Sequence, residues 1–279
     1  MVYVDGLLVA SETKRDEENV MEDLRSGFPI RYLGGAGFYL GCPITRDLDA
    51  RTLELDQHLY VRTVNSRFNI EKASTTSAAV AENPLFKDDV PQTEAEVEEI
   101  RVIPYRAAVG ALMWAATMTR SDVAYAAHQL GKINDNPGPV HWRAAKRTPQ
   151  YLWRTKDVGI TYGGTPGSCT KLSAWVTAAA SSESEYVALA EAVNQLCFLR
   201  QLKGFLKPPR DDIIVTREDN KGAIKMTTDR FSLRRMRHVD MKHHSVRDAI
   251  ENGVVRIHYV KSGEKYADVL TKALNVNTF

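Results

Sequence analysis

The sequence predicts two kinds of unit in one chain: a mixed α+β first half and an α/β second half. Three observations carry this. Val2–Val4 and Leu7–Ala10 flank Asp5-Gly6, a strong hairpin signal. Tyr105–Met118 reads as a buried helix. From Leu172 onward, short strand-like runs alternate with helical ones, the signature of an α/β unit. A chain of 279 residues has room for two compact units.

The elements follow in order. After the first hairpin, Asp16–Arg25 reads as a helix ending near Gly27. Phe38–Ile44 and Thr52–Leu55 form a second hairpin turning within Asp47–Arg51. Leu59, Val61, Val64 and Phe68 give Gln57–Phe68 a helical stripe. Residues 73–99 bring Ser, Thr, Ala and Pro and then seven acids against Lys87, so they read as a solvated linker or loose surface segment. Ser121 can cap a helix over Asp122–Ile133. His141–Arg154 is helical in pattern. Pro149 inside it removes a backbone bond at ~3 kcal/mol, which predicts a kink or break at Thr148.

Gly163-Gly164-Thr165-Pro166-Gly167 marks the boundary between the halves. Beyond it come a strand at Leu172–Val176 and a long helix from Ser181 or Ser182 to Phe205. The inner side of that helix holds Tyr186, Val187, Ala190, Val193, Leu196, Cys197 and Leu199. A strand at Ile213–Thr216, helices at Gly222–Thr227 and Val239–Glu251, a strand at Val254–Val260 and a final helix at Lys265–Leu274 complete the chain.

Composition excludes several classes. The 43 % hydrophobic content suits a globular protein, and the net charge of +2 gives no whole-chain preference for a partner. Cys42, Cys169 and Cys197 form no CxxC pair, which argues against structural zinc and for a reducing compartment. The expected location is cytoplasmic, with the nucleus as the alternative. No apolar run reaches membrane-spanning length, and no signal peptide is evident, so no membrane partner is expected. Local charge is more informative. Residues 230–247 hold six bases against Asp240, and residues 141–156 hold Arg143, Lys146, Arg147, Arg154 and Lys156 with no acid. Such patches can neutralise phosphates, or they are simply solvated faces.

Three carboxylates stand where an α/β sheet gathers a site, at the carboxyl ends of strands and the first turns beside them. Asp219 follows a strand, and Glu183 and Asp268 lie in first helical turns. Carboxylate oxygens converging this way hold divalent metals, with each Mg²⁺ taking one or two of them and a metal pair ~3.5–4 Å apart clamping a phosphodiester. Glu183 and Asp268 could instead only favour their helix dipoles.

An ordered set of motifs resembles one family. Tyr3-Val4-Asp5-Gly6, Arg31-Tyr32-Leu33-Gly34, Phe38-Tyr39-Leu40-Gly41, Tyr105-Arg106, Gly110-Ala111-Leu112-Met113, Thr119-Arg120-Ser121-Asp122 and His141-Trp142 are similar to the polymerase and connection region of copia-type retrotransposon Pol polyproteins. Ser181-Ser182-Glu183-Ser184-Glu185-Tyr186, Glu218-Asp219-Asn220, Arg237-His238-Val239-Asp240, His243-His244 and Ala267-Asp268-Val269-Leu270-Thr271-Lys272 resemble that family's ribonuclease H domain.

The resemblance implies a reverse-transcriptase palm and thumb remnant at 1–72, an acidic linker at 73–104, a helical connection at 105–163 and a truncated ribonuclease H-like α/β remnant at 164–279. It also implies Mg²⁺ as cofactor and an RNA–DNA hybrid or other nucleic acid as partner. Asp5 would be the surviving polymerase carboxylate, with Gly6 replacing the second Asp of the family motif and the rest of that site expected upstream of Met1. Glu183, Asp219 and Asp268 match the second, third and fourth nuclease carboxylates, with Asp240 a weaker choice for the fourth. The first Asp and two strands are expected to be deleted between Val176 and Thr177. Arg234, Arg235, Arg237, His238, Lys242 and His243 would contact nucleic acid. His238, His243 and His244 together could alternatively bind a metal. Trp114, Trp142, Trp153 and Trp175 could stack on bases or pack in the core. The lost strand pair would leave Leu172–Val176 as an exposed edge inviting self-association. The expected role is nucleic-acid binding with little or no catalysis. The rivals are an active ribonuclease H using another acid and a non-enzymatic interaction protein.

Overall fold

The computed structural model describes residues 2–3, 6–11, 13–70, 89–163, 173–175, 182–206, 213–228, 240–264 and 266–270. It is a mixed α and β structure with three sheets among these residues. Two are antiparallel and belong to the first half of the chain. The third is parallel and belongs to the second half.

β1 (Val2–Tyr3) and β2 (Gly6–Leu7) form the first hairpin, with Val2 opposite Leu7. α1 (Lys14–Gly27) starts at Thr13, whose hydroxyl accepts from the Asp16 amide at 3.2 Å. β3 (Phe38–Tyr39), β4 (Cys42–Asp47) and β5 (Thr52–Leu55) follow as a meander. Leu40 and Gly41 both have positive φ, 50° and 84°, the backbone a two-residue hairpin turn demands. The run expected as one strand, 38–44, is thus itself a hairpin.

A fourth strand, β6 (Ile160–Gly163), arrives from a hundred residues later and pairs antiparallel with β5, Thr52 opposite Gly163. A Cβ at Gly163 would collide with the Arg51 carbonyl, and its φ is +92°, so the close approach needs glycine here.

α2 (His58–Arg67), α4 (Tyr105–Met118), α5 (Ala124–Gly131) and α6 (Pro139–Arg154) enclose one core of Val61, Tyr105, Val109, Leu112, Ala115, Val123, Ala127, Leu130, Ala145 and Leu152. Residues from 1–72 and from 105–163 therefore share a core as well as a sheet. Ser121–Val123 is a separate 3₁₀ turn ahead of α5 rather than the start of one helix.

Two further expectations are corrected in this half. α3 (Glu94–Arg101) is a helix inside the stretch read as linker. Thr93 accepts from the Glu96 amide while the Glu96 carboxylate accepts from the Thr93 amide, a capping box the acid-rich composition concealed. And α6 runs unbroken through Pro149. His141, Ala145, Thr148, Pro149, Tyr151 and Leu152 are all buried along it, and that burial outweighs one lost backbone bond.

In the second half, β7 (Ser173–Trp175), β8 (Ile214–Glu218) and β9 (Val255–Tyr259) are parallel in the order β7-β8-β9. β7 and β8 lie side by side, Trp175 pairing with Arg217. α7 (Ser182–Leu206), α8 (Lys221–Thr228) and α9 (Asp240–Glu251) pack together over Tyr186, Leu189, Ala190, Val193, Leu196, Ile214, Ala223, Val246 and Val255. Leu199, expected inside, is 42 % exposed, and Leu189 takes the inner position instead. Where a long final helix was expected, the described residues form two short 3₁₀ turns, Ser262–Glu264 and Tyr266–Leu270. The second packs against Ser121–Val123 and α5, across the boundary between the halves.

A carboxylate cluster at the end of strand β8

Strand alternation builds the site. Along β8, Ile214, Thr216 and Glu218 are buried while Val215 and Arg217 are only half-buried. Side chains on a strand alternate faces, so Glu218 shares the inward face of Ile214. The chain then leaves the sheet at Asp219 and Asn220 and enters α8.

Glu218 organises that exit. Its Oε1 accepts hydrogen bonds from the Asp219 and Asn220 amides, both at 2.9 Å. Asn220 in turn caps α8, its Oδ1 accepting from the Gly222 amide at 2.7 Å and the Ala223 amide at 3.1 Å. The same Oδ1 accepts from the Ser182 hydroxyl at 3.1 Å, which ties the start of α8 to the start of α7. Gly222 permits the approach: a Cβ there would lie 2.6 Å from Ser182 Oγ and 2.9 Å from Asn220 Oδ1.

With the two helix starts locked together, Glu185 in the first turn of α7 comes beside the end of β8. Oxygens of Glu185, Glu218 and Asp219 lie within 4.8 Å of one another. Glu185 and Glu218 are buried, and Asp219 is half-buried. The positive ends of α7 and α8 lie beside the group and favour negative charge there. Lys221 sits 5.2 Å over the Tyr259 ring on β9, which places a cation one strand away.

Of the residues singled out in the sequence, Asp219 is in this cluster. Glu183 is in the first turn of α7, but its side chain lies outside the described residues. Asp268 is half-buried in the Tyr266–Leu270 turn and is not part of the group. Lys242, His243 and His244 are on α9 and Asp240 begins it, with their side chains outside the description. Asp5, Arg234, Arg235, Arg237, His238 and the Val176–Thr177 junction lie outside the described residues altogether. Sequence reasoning missed Glu185 and Glu218. The signal for Glu218 was the alternation from Ile214, carried two residues past the expected strand end.

The second half also holds Tyr186, whose burial pushes its hydroxyl up to about 12. In the first half the Thr119-Arg120-Ser121-Asp122 motif is a buried network. Arg120 is 1 % exposed. Its Nε and Nη2 donate to the two oxygens of Asp122 at 3.0 and 2.6 Å, and Nη1 donates to the Thr155 carbonyl at 2.8 Å. Tyr151 donates to Asp122 at 2.9 Å. That motif ties α5 to the end of α6 and is structural. Among the described residues no helix is long and apolar enough to cross a membrane.

No protein-family model matches the chain, and no solved structure matches it. Curated relatives do. The chain is 28 % identical over its whole length to the retrovirus-related Pol polyprotein from transposon TNT 1-94 of Nicotiana tabacum, of which it covers 23 %. It is 25 % identical over 99 % of its length to the corresponding polyprotein from transposon RE2 of Arabidopsis thaliana, covering 21 %. It is 26 % identical over 75 % of its length to the putative transposon Ty5-1 protein YCL074W of Saccharomyces cerevisiae, covering 67 %. The chain thus spans less than a quarter of the two plant polyproteins. The relatives similar to this chain over 99–100 % of its length are copia-type retrotransposon Pol polyproteins, and that similarity supports reading it as a fragment of such a polyprotein.

Proposed function

We propose that this segment binds nucleic acid as a ribonuclease H-like and reverse-transcriptase-derived remnant, with little or no catalysis. The observation that carries the reading is β7. It lies beside β8 and parallel to it, where the resemblance expects the first carboxylate of the nuclease, and its residues are Ser173, Ala174 and Trp175. The neighbouring strand delivers acids and this one delivers none.

The cluster at the end of β8 fits a divalent cation in part. Its donors are all carboxylate oxygens, the set Mg²⁺ prefers, and Asp219 and Glu185 would hold the ion. Glu218 is the exception, because one of its oxygens already holds the turn amides. When bound, Mg²⁺ would supply Lewis-acid polarisation of a phosphodiester. The chain's own residues orient Asp219 through the Glu218 turn and hold the α7 and α8 helix starts together. Two-metal hydrolysis needs a bridging carboxylate from the adjacent strand, which this reading lacks.

The specific rival is an active ribonuclease H in which Glu218 or Glu185 replaces the missing acid. Their proximity to Asp219 favours it. The test is cleavage of an RNA–DNA hybrid with Mg²⁺ or Mn²⁺, alongside hybrid binding by anisotropy. Binding with background cleavage is expected. Metal-dependent cleavage that disappears in Asp219→Asn would establish the rival, and absence of any binding would overturn the proposal.

A further inference from the structure

We infer that the outer face of α6 is a nucleic-acid phosphate-binding surface, an inference that rests on the nucleic-acid reading above and names where in the first half of the chain contact is made. α6 buries His141, Ala145, Thr148, Tyr151 and Leu152 on one side. At 3.6 residues per turn, Arg143, Lys146, Arg147, Gln150 and Arg154 fall on the opposite side. Arg143 and Arg154 are exposed. From Pro137 to Lys156 there is no acid.

This face differs from the other charged helices. α1 mixes both signs along its length, as an ordinary solvated helix does. α3, which also packs against α6, carries Glu94, Glu96, Glu98 and Glu99, whereas α6 itself interleaves no acid among its bases. Arg147 makes contacts within the fold, which leaves Arg143, Lys146 and Arg154 as the residues to test. The Lys146 ammonium lies 5.8 Å over the Trp142 ring, which holds it at the rim of the face.

The line from Arg143 to Arg154 runs about 16 Å along a rigid helix. Phosphates recur about every 3.4 Å of axis on each strand of a duplex, so such a line can neutralise several of them at fixed spacing. The centre of the face is Arg, Gln and Lys, and the large exposed hydrophobic of α6, Val140, is a single side chain in its first turn, too little apolar surface to insert into a lipid surface. That favours a nucleic-acid backbone over a membrane. The contact is to phosphate and carries no sequence preference.

The experiment measures affinity of the full chain for a short RNA–DNA hybrid across salt, beside Arg143→Gln/Lys146→Gln/Arg154→Gln. The slope of log affinity against log salt should fall by about 0.9 per lost contact. Losing three contacts shrinks the affinity drop between about 50 and 200 mM salt by roughly fortyfold. Arg143→Lys/Arg154→Lys, which keeps the charge, should retain the parent slope. A parallel Arg234→Gln/Arg235→Gln/Arg237→Gln variant separates the two proposals. If that variant loses the salt dependence and the α6 variant keeps it, the α6 surface is wrong while nucleic-acid binding stands. If the parent binds no hybrid, both fail. Equal binding of the parent and the α6 variant to the hybrid, with loss on anionic vesicles only, assigns the face to a membrane and overturns the inference.

Discussion

Ser182 donates a hydrogen bond to Asn220 Oδ1 at 3.1 Å, joining the first turns of two helices separated by 38 positions in sequence. The same oxygen caps α8, so one side chain fixes both the helix and its docking. Replacing Asn220 by Ala therefore removes a cap and a tertiary bond together. A loss of about 1–2 kcal/mol is expected, compared with under about 1 for Ser182→Ala. Urea unfolding midpoints at constant m-value measure both. Equal losses would show that the cap alone matters.

Gly222 gives the steric counterpart. Gly222→Ala places a methyl against Ser182 Oγ and Asn220 Oδ1 and should destabilise the protein. Ser182→Ala removes one of those atoms, so the double variant should be more stable than the sum of the singles predicts by at least about 0.5 kcal/mol. Additive losses would mean that the helix starts separate freely.

Arg120 is buried and holds Asp122 and Thr155 with its whole guanidinium fork. Arg120→Met strands Asp122 and should cost about 3–5 kcal/mol. Arg120→Lys should also be costly, since an ammonium cannot match the fork. Full stability of the Lys variant would show that charge alone is needed.

Three buried tyrosines set an alkaline limit. Burial pushes the hydroxyls of Tyr105, Tyr151 and Tyr186 up to about 12, and Asp122 adds to the effect at Tyr151. Between pH 10 and 12 the folded form retains protons that the unfolded chain has released, so stability falls as pH rises through that window and is fully present below pH 10. Absorbance near the phenolate band should show a late group that includes Tyr105, Tyr151 and Tyr186, titrating above the ordinary range or together with unfolding. Tyr105→Phe should soften the pH dependence, and an unchanged profile would count against the burial argument.

The elements legible in the sequence are those set by local signals. Tyr105–Met118 was readable to the residue because its apolar run has a clear start and end. The α/β character of the second half followed from alternating strand and helix patterns, and its described strands are parallel. What was not legible depends on distant partners. Ile160–Gly163 has no pattern of its own and becomes a strand because β5 is there to pair with it. Pro149 breaks a helix in isolation, but this one is held by its buried face. Asp268 read as a site residue from its place in the first turn of an expected helix; the packing of the Tyr266–Leu270 turn against Ser121–Val123 and α5 is invisible to any local pattern. The cluster was half legible: Asp219 by motif, Glu218 and Glu185 only once β8 and α7 are placed side by side.

Glu218 decides whether the cluster is first a structural device or a metal ligand set. The Glu218 side chain is fully buried and its Oε1 accepts two backbone amides at 2.9 Å, so an acceptor is needed there. Glu218→Gln retains a carbonyl oxygen of nearly the same shape. It also removes a negative charge from beside Glu185 and Asp219, which eases their mutual repulsion. This variant should stay within about 1 kcal/mol of the parent, while Glu218→Ala, which removes the acceptor of two part-buried amides, should lose about 2 kcal/mol or more. Mn²⁺ binding followed by paramagnetic broadening supplies the second reading. Asp219→Asn should abolish it, whereas Glu218→Gln should weaken it less. If Glu218→Gln is as destabilised as Glu218→Ala, its charge and not its acceptor holds the turn. If it alone abolishes Mn²⁺ binding, Glu218 is the principal ligand and the active-nuclease reading gains the acid it needs.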